Sequence, residues 1–347
     1  MTVIEQHDTT TTTPATRTPP AARVLAEFAG TFIICLAIYA TGSFGTAILG
    51  LNMAFFVLAT AVAYMAVTAM LDKVCAGHFN PAVTVAAMLV SRIGILEGIA
   101  SIIAQVAGAA LAGGILTRLL PTSDSVSVKT WITPAVNGFD DGSAIYAYYL
   151  SNISGISFGI VAAIVVETVA AAVIVGMFMS STTADGRPTA RYAAAMGAAY
   201  GLGAAVCYPI TNAALNPARA TGIALFARNQ GLNVEPLSQL WVFWVCPLLA
   251  AAVIALVMIV AQMASGAAQA RRDARDAATV FPAAGEPSET VETVETESGA
   301  GYEAAPTAET AEASASSSQT GSAQEDAQVG DEQSQPESDA DEGVERD

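Results

Sequence analysis

Charge is scarce in this chain of 347 residues: 13% are Asp, Glu, Lys or Arg, against 53% hydrophobic, and the mean hydropathy is +0.49. A soluble domain carries about 25% charged residues, so the scarcity excludes an ordinary water-solvated surface and places the chain in a membrane. Histidine occurs twice, and the four cysteines, Cys35, Cys75, Cys207 and Cys246, lie within or beside apolar runs without metal-ligand spacing. They read as small packing residues. Nucleophile and base pairings, metal clusters and phosphate loops are missing as well. An enzyme, a metal or organic cofactor and a nucleic-acid partner are therefore not expected.

The charge that is present is unevenly placed. From Asp273 onward twenty acidic residues stand against Arg275 and Arg346, whereas Met1 to Arg272 holds twelve Lys/Arg and eleven Asp/Glu. The formal net charge of −17 belongs to the tail and says nothing about what the body handles. The tail, 263–347, is Ala, Ser, Thr, Glu, Asp and Gln with few aromatics. Such a composition buries too little apolar surface to offset its ordering entropy, so a disordered acidic segment is expected there. Residues 1–22, with a Thr run and Pro14, Pro19 and Pro20, read as a disordered lead-in, and no signal peptide is apparent.

Between them lie six apolar segments, about 24–43, 51–71, 94–117, 157–179, 191–210 and 237–262, each long enough to span a bilayer with some tilt. Two shorter runs interrupt the series. One opens at Gly77-His78-Phe79-Asn80-Pro81-Ala82 and the other at Ala214-Leu215-Asn216-Pro217-Ala218-Arg219. In both, Asn before Pro and an Ala-rich run is the order of a helix N-terminus, with Asn as cap and Pro at the first helical position. Each run lasts about eleven residues, ~16 Å at ~1.5 Å per residue, which is half the ~30 Å hydrocarbon core.

Three spans and a half-helix are thus followed, after a connection from about 118 to 156, by the same set again. An odd number of spans inverts the second set, so the expected fold is an all-α membrane protein of six transmembrane helices and two re-entrant half-helices in an inverted repeat. Glu27 early in the first span matches Glu167 in the fourth. Small residues at four-residue spacing, Gly94 and Gly98, Gly108 and Ala112, Gly197 and Gly201, suit close helix contact in lipid. Arg17, Arg23, Lys73, Arg92, Arg187, Arg191, Arg271, Arg272 and Arg275 fall on one side, and Arg118, Lys129 and Arg228 on the other. The richer side is expected to be cytoplasmic, with both termini inside a multi-pass protein of the cell membrane.

Half-helices entering from opposite faces would bring Asn80 and Asn216 together, two partial positive charges aimed at one spot. Cations would be repelled there. The Asn oxygens cap their helices, which leaves the amide N–H groups as donors toward a path between them.

These residues resemble the aquaporin and glycerol-facilitator channels, the major intrinsic proteins, over about 23–262, with repeat 1 about 23–117 and repeat 2 about 157–262. The resemblance rests on the paired Asn80-Pro81-Ala82 and Asn216-Pro217-Ala218, on His78 ahead of the first, Arg219 after the second, and Glu27 within Ala26-Glu27-Phe28-Ala29-Gly30-Thr31. It implies that Arg219 is the arginine of an outer constriction, that Glu27 and Glu167 accept hydrogen bonds from the re-entrant loops, and that His78 is structural beside the pore. It further implies a homotetramer. Ala204 and Ala213 match further constriction positions. In the second span, Phe56 takes that place if about four extra residues, near Leu71 to Val74, precede the first motif; otherwise it falls to Thr60.

Small groups at 204 and 213 favour glycerol, urea or ammonia, whereas Ala220 after Arg219, and Phe243-Trp244, resemble water channels. The reading is a passive channel for water with wider, mixed specificity for small neutral solutes. A dedicated glycerol facilitator is the alternative, and an ion-coupled transporter, which usually needs more ionisable groups near the midplane, stands behind both.

Overall fold

A computed structural model describes residues 18–49, 53–143, 146 and 157–280. All fall in the first of two units, Met1–Ala283; the second, Ala284–Asp347, and the lead-in before residue 18 lie outside the described residues. The helices are α1 (Pro20–Leu49), α2 (Met53–Leu71), α3 (Pro81–Leu89), α4 (Ile95–Leu119), α5 (Val128–Ile132), α6 (Ile160–Ser181), α7 (Tyr192–Thr211), α8 (Pro217–Ala227), α9 (Pro236–Gln239) and α10 (Val242–Val280). Among the described residues six segments, the last comprising α9 and α10, are long and apolar enough to cross a membrane. Their outward faces carry large apolar side chains such as Leu96, Val161 and Ile103, as helices solvated by lipid do. The half-length α3 and α8 follow the two Asn-Pro motifs, so the expected six spans and two half-helices are all present.

The two halves are interleaved. α1 lies along α4 and α2 along α7; α8 packs on α4 of the first half, and α3 packs on α10 of the second. Each half-helix is thereby held by a span from the other half of the sequence. Glycine permits the closest of these approaches: a Cβ at Gly108 would stand 2.4 Å from the carbonyl oxygen of Phe28 on α1, and one at Gly113 would stand 2.5 Å from that of Gly222 on α8. Gly94, by contrast, has nothing within 4 Å, so it takes no part in the small-residue packing expected of it. Arg23 Nε donates to Glu97 Oε1 at 2.6 Å and ties the start of α1 to that of α4.

One boundary differs from the sequence reading. α10 continues to Val280, past residue 262 where composition places the start of the tail. Residues 263–276 are exposed yet helical, because Ala, Gln and Arg are strong helix formers and Gln269 Nε2 donates to Asp273 Oδ1 one turn on, at 2.7 Å.

Candidate functional site

The two half-helices start at capped tips. Asn80 and Asn216 have extended backbones, and each side-chain oxygen accepts the N–H two residues on, from Ala82 and Ala218, both at 2.9 Å. Pro81 and Pro217 fill the first helical positions, where no N–H is needed. The tips meet by exchanging hydrogen bonds: Asn80 Nδ2 donates to the carbonyl of Leu215 at 3.0 Å, and Asn216 Nδ2 to that of Phe79 at 2.7 Å. Both asparagines are buried, and two helix N-termini concentrate partial positive charge on this one place.

The loops entering the tips follow one design. Phe79 and Leu215, each preceding its asparagine, adopt left-handed backbone with φ of 47° and 58°. That conformation is costly for a bulky residue and persists only where its surroundings hold it. A buried carboxylate does so in each half. Glu27 accepts from the backbone N–H of His78 at 2.9 Å and of Phe79 at 2.7 Å; Glu167 accepts from those of Ala214 at 3.0 Å and Leu215 at 2.8 Å. Gln105 Nε2 adds a third donor to Glu27 at 2.9 Å, and the Thr211 hydroxyl one to Glu167. Loop backbone at membrane depth is thus satisfied from within the protein. His78 is buried, its Nδ1 3.2 Å from the Thr84 hydroxyl and its ring edge-on to Phe178.

Arg219 is the largest fully buried side chain among the described residues. Its guanidinium donates to the carbonyls of Ala213 at 2.6 Å, Ala214 at 3.4 Å and Asn212 at 3.2 Å, and to Asn137 Oδ1 at 2.8 Å. All four hydrogen-bond acceptors are neutral, and the buried Glu167 lies near enough to interact with the charge. Asn137 in turn donates to the carbonyls of Thr211 at 3.0 Å and Asn212 at 2.9 Å. It lies in the connection between halves, where Asn137-Gly138 reads only as a turn signal, and sequence reasoning passed it over.

Antiparallel packing of α2 on α7 sets the remaining register. Phe56 and Tyr208 bring their rings to 4.7 Å, and Tyr64 and Tyr200 to 3.2 Å, so Thr60 faces Ala204 on the rung between them. Asn216 Nδ2 donates to the Tyr64 hydroxyl at 2.9 Å. Thr60 is one helical turn from Tyr64, ~6 Å along α2, and Arg219 is three residues, ~4.5 Å, along α8 from Asn216. Thr60 and Ala204 therefore lie one turn from the Tyr64–Tyr200 pair, and the Ala213 carbonyl accepts from the Arg219 guanidinium. Phe56 lies a further turn away, against Tyr208; of the two alternatives, the register sets Thr60, the one that needs no extra residues before the first motif, nearer the Asn216 tip. Thr60 Oγ1 and Arg219 Nε are two of the seven buried side-chain polar atoms without a protein hydrogen-bond partner among the described residues.

One expectation about the asparagines is overturned. Their amides are not free toward a path, since Asn80 Nδ2 also donates to the Tyr200 hydroxyl at 2.8 Å, as Asn216 does to Tyr64. An amide nitrogen has two hydrogens, so both donors of both asparagines are engaged. Sequence reasoning missed the two tyrosines, although a phenol in mid-span, needing a polar partner, was a signal that could have found them.

Cavities approach this centre from both ends. One of 540 Å³ includes Glu27, His78, Lys73, Arg92 and Arg187 in its wall; another of 230 Å³ includes Asn137, Lys129 and Asp141. Partial burial lowers the pKa of Arg92, which donates to the Met179 carbonyl at 3.1 Å and remains a cation at the mouth of the first. Neither wall includes Asn80, Asn216, Tyr64, Tyr200 or Arg219, each of which is at most 2% exposed. No group of three or more His, Cys, Asp or Glu suited to a metal occurs among the described residues.

Residues 14–258 match the family model described as major intrinsic protein. Among curated relatives, Aquaporin Z of Brucella melitensis biotype 1 is 30% identical over 238 residues, 67% of this chain and 93% of that protein. Aquaporin Z of Photorhabdus laumondii subsp. laumondii is 31% identical over 240 residues, with the same coverage. The solved aquaglyceroporin of Plasmodium falciparum aligns at a TM-score of 0.49 and 16% identity, covering 69% of this chain and 93% of that one, too distant a likeness to bear on the site.

Proposed function

The chain belongs to the major intrinsic protein family, and from that premise we propose which of its residues make the path and what they pass. It is a passive membrane channel for water and small solutes, not an enzyme. The observation that carries the site assignment is the mutual bonding of the two half-helix tips, Asn80 to Leu215 and Asn216 to Phe79. This puts two helix N-termini on one axis, where an uncharged molecule with an accepting oxygen is stabilised and a cation is not.

Asn80, Pro81, Ala82, Asn216, Pro217 and Ala218 form the central crossing, and Thr60, Ala204, Ala213 and Arg219 the outer constriction. Glu27, Glu167 and His78 support the loops from behind. Three small side chains beside Arg219 make the outer constriction roomy, which supports passage of glycerol- or urea-sized solutes besides water. Ala220 and the buried Phe243 remain on the side of water. The protein resides in the cell membrane, with the face bearing Arg23, Arg92 and Arg187 cytoplasmic by the excess of Lys and Arg there. The family resemblance implies a homotetramer, and that assembly is proposed for this chain.

Flux measured in vesicles held at different membrane potentials tests this reading. Water and solute movement independent of potential, with no accompanying current, is the expected result. Current that scales with solute flux would instead assign an ion-coupled transporter.

A further inference from the structure

At the level of the asparagines, the rings of Tyr64 and Tyr200 lie parallel, 4° apart in plane, with centroids separated by 3.2 Å. Contact between stacked carbons needs about 3.5 Å or more, so no molecule fits between these rings. The tyrosines come from opposite halves of the chain, and each phenol oxygen accepts from the asparagine of the opposite half-helix: Tyr64 from Asn216, Tyr200 from Asn80. Each is at most 2% exposed. By contrast, Thr60 and Ala204, one turn away, are small, and Thr60 Oγ1 and Arg219 Nε have no protein hydrogen-bond partner among the described residues. The bulky rings and the engaged asparagine donors are at the midplane, while small side chains and two of the unpartnered polar atoms are on the side of the arginine.

From this contrast, and resting on the channel reading above, we infer that the Tyr64–Tyr200 pair is the narrowest, selectivity-setting constriction of this channel. A solute entering from either cavity must part the rings and take over, with its own oxygens, the asparagine hydrogens that the phenols accept. Passage is therefore an exchange of hydrogen bonds. Small molecules with oxygen acceptors, water first and then urea and glycerol, can complete it, whereas a solute lacking acceptors leaves two buried donors unpaired. Size is limited by how far the two stacked rings separate, since the side chains at the Thr60 and Ala204 rung are smaller than the rings.

The test is parallel stopped-flow measurement of water and glycerol permeability in proteoliposomes of the full chain. Wild type is compared with Tyr64→Val, Tyr200→Val, the double variant, and the double Phe variant, which keeps the rings and loses the hydroxyls. The double Val variant is expected to raise the glycerol-to-water permeability ratio by about tenfold and to admit a longer polyol, sorbitol, that wild type excludes. The double Phe variant is expected to raise glycerol flux far less than Val, since its rings still fill the axis. Because removing both rings opens a void, the single variants, which retain one ring, are measured beside it, with an expected rise of about threefold each. A wild type that conducts water while every Val variant keeps the wild-type ratio and sorbitol exclusion would overturn the tyrosine constriction and leave the channel reading intact. Permeability at the protein-free level in wild type and variants alike would overturn both.

Discussion

Phe79 and Leu215 share a left-handed backbone conformation although neither is glycine, and each is held in it by a glutamate whose carboxylate receives its N–H. The relationship repeats across two halves that share little local sequence outside the Asn-Pro motifs. A buried carboxylate is expensive in a membrane, yet here it satisfies backbone donors that have no other partner and keeps each asparagine aimed at the opposite loop.

Glu27→Ala should therefore cost stability before it touches permeation. It orphans three buried donors, on His78, Phe79 and Gln105, at about 1–3 kcal/mol each. Thermal unfolding in detergent should show a large loss, and Glu27→Gln an intermediate one because the amide brings an unwanted donor. Melting indistinguishable from wild type would remove the supporting role.

Arg219→Ala deletes a buried charge held by four neutral acceptors. Cation leak across vesicles should rise by about tenfold, which corresponds to about 1.4 kcal/mol of lost exclusion. Dye-reported potassium and proton flux is the readout; an unaltered leak would assign exclusion to the half-helix tips alone.

Asn137→Ala should partly reproduce that effect. Its oxygen anchors the guanidinium and its amide braces the carbonyls of Thr211 and Asn212, so loss of the side chain should weaken both the placement of Arg219 and the loop, at about 1–3 kcal/mol of stability. Wild-type leak and melting together would show the bond to be incidental.

Gly113→Ala should impair assembly of the bundle, since the new Cβ would meet the Gly222 carbonyl at 2.5 Å and backbone cannot retreat as a side chain can. A loss of about 1–3 kcal/mol is expected. Gly94→Ala, with open space around it, provides the comparison in the same melting assay.

How much of this could be read from the chain follows from the range of each interaction. The spans were visible because hydrophobic run length is local, and the half-helices because Asn before Pro is a cap written in consecutive residues. Glu27 and Glu167 stood out as acids in apolar surroundings. Asn137, far from Arg219 in the chain, carries no mark beyond a turn signal. Thr60 could not be separated from Phe56 until antiparallel packing of α2 on α7 paired 56 with 208 and 64 with 200. The tyrosines looked like further bulky residues in apolar spans, and only their pairing across the halves reveals that they take the hydrogens that a lone asparagine would have offered to the path. Past residue 262, composition and helix propensity point in different directions, and propensity governs to Val280.

Osmotic shrinkage of vesicles reconstituted with the wild-type chain, followed by stopped flow against protein-free vesicles of the same lipid, is the most direct measurement of whether the joined half-helix tips form a conduit. Water efflux faster than in the protein-free vesicles is the expected result. Identical relaxation in the two preparations, with the protein shown to be inserted and folded, would contradict it.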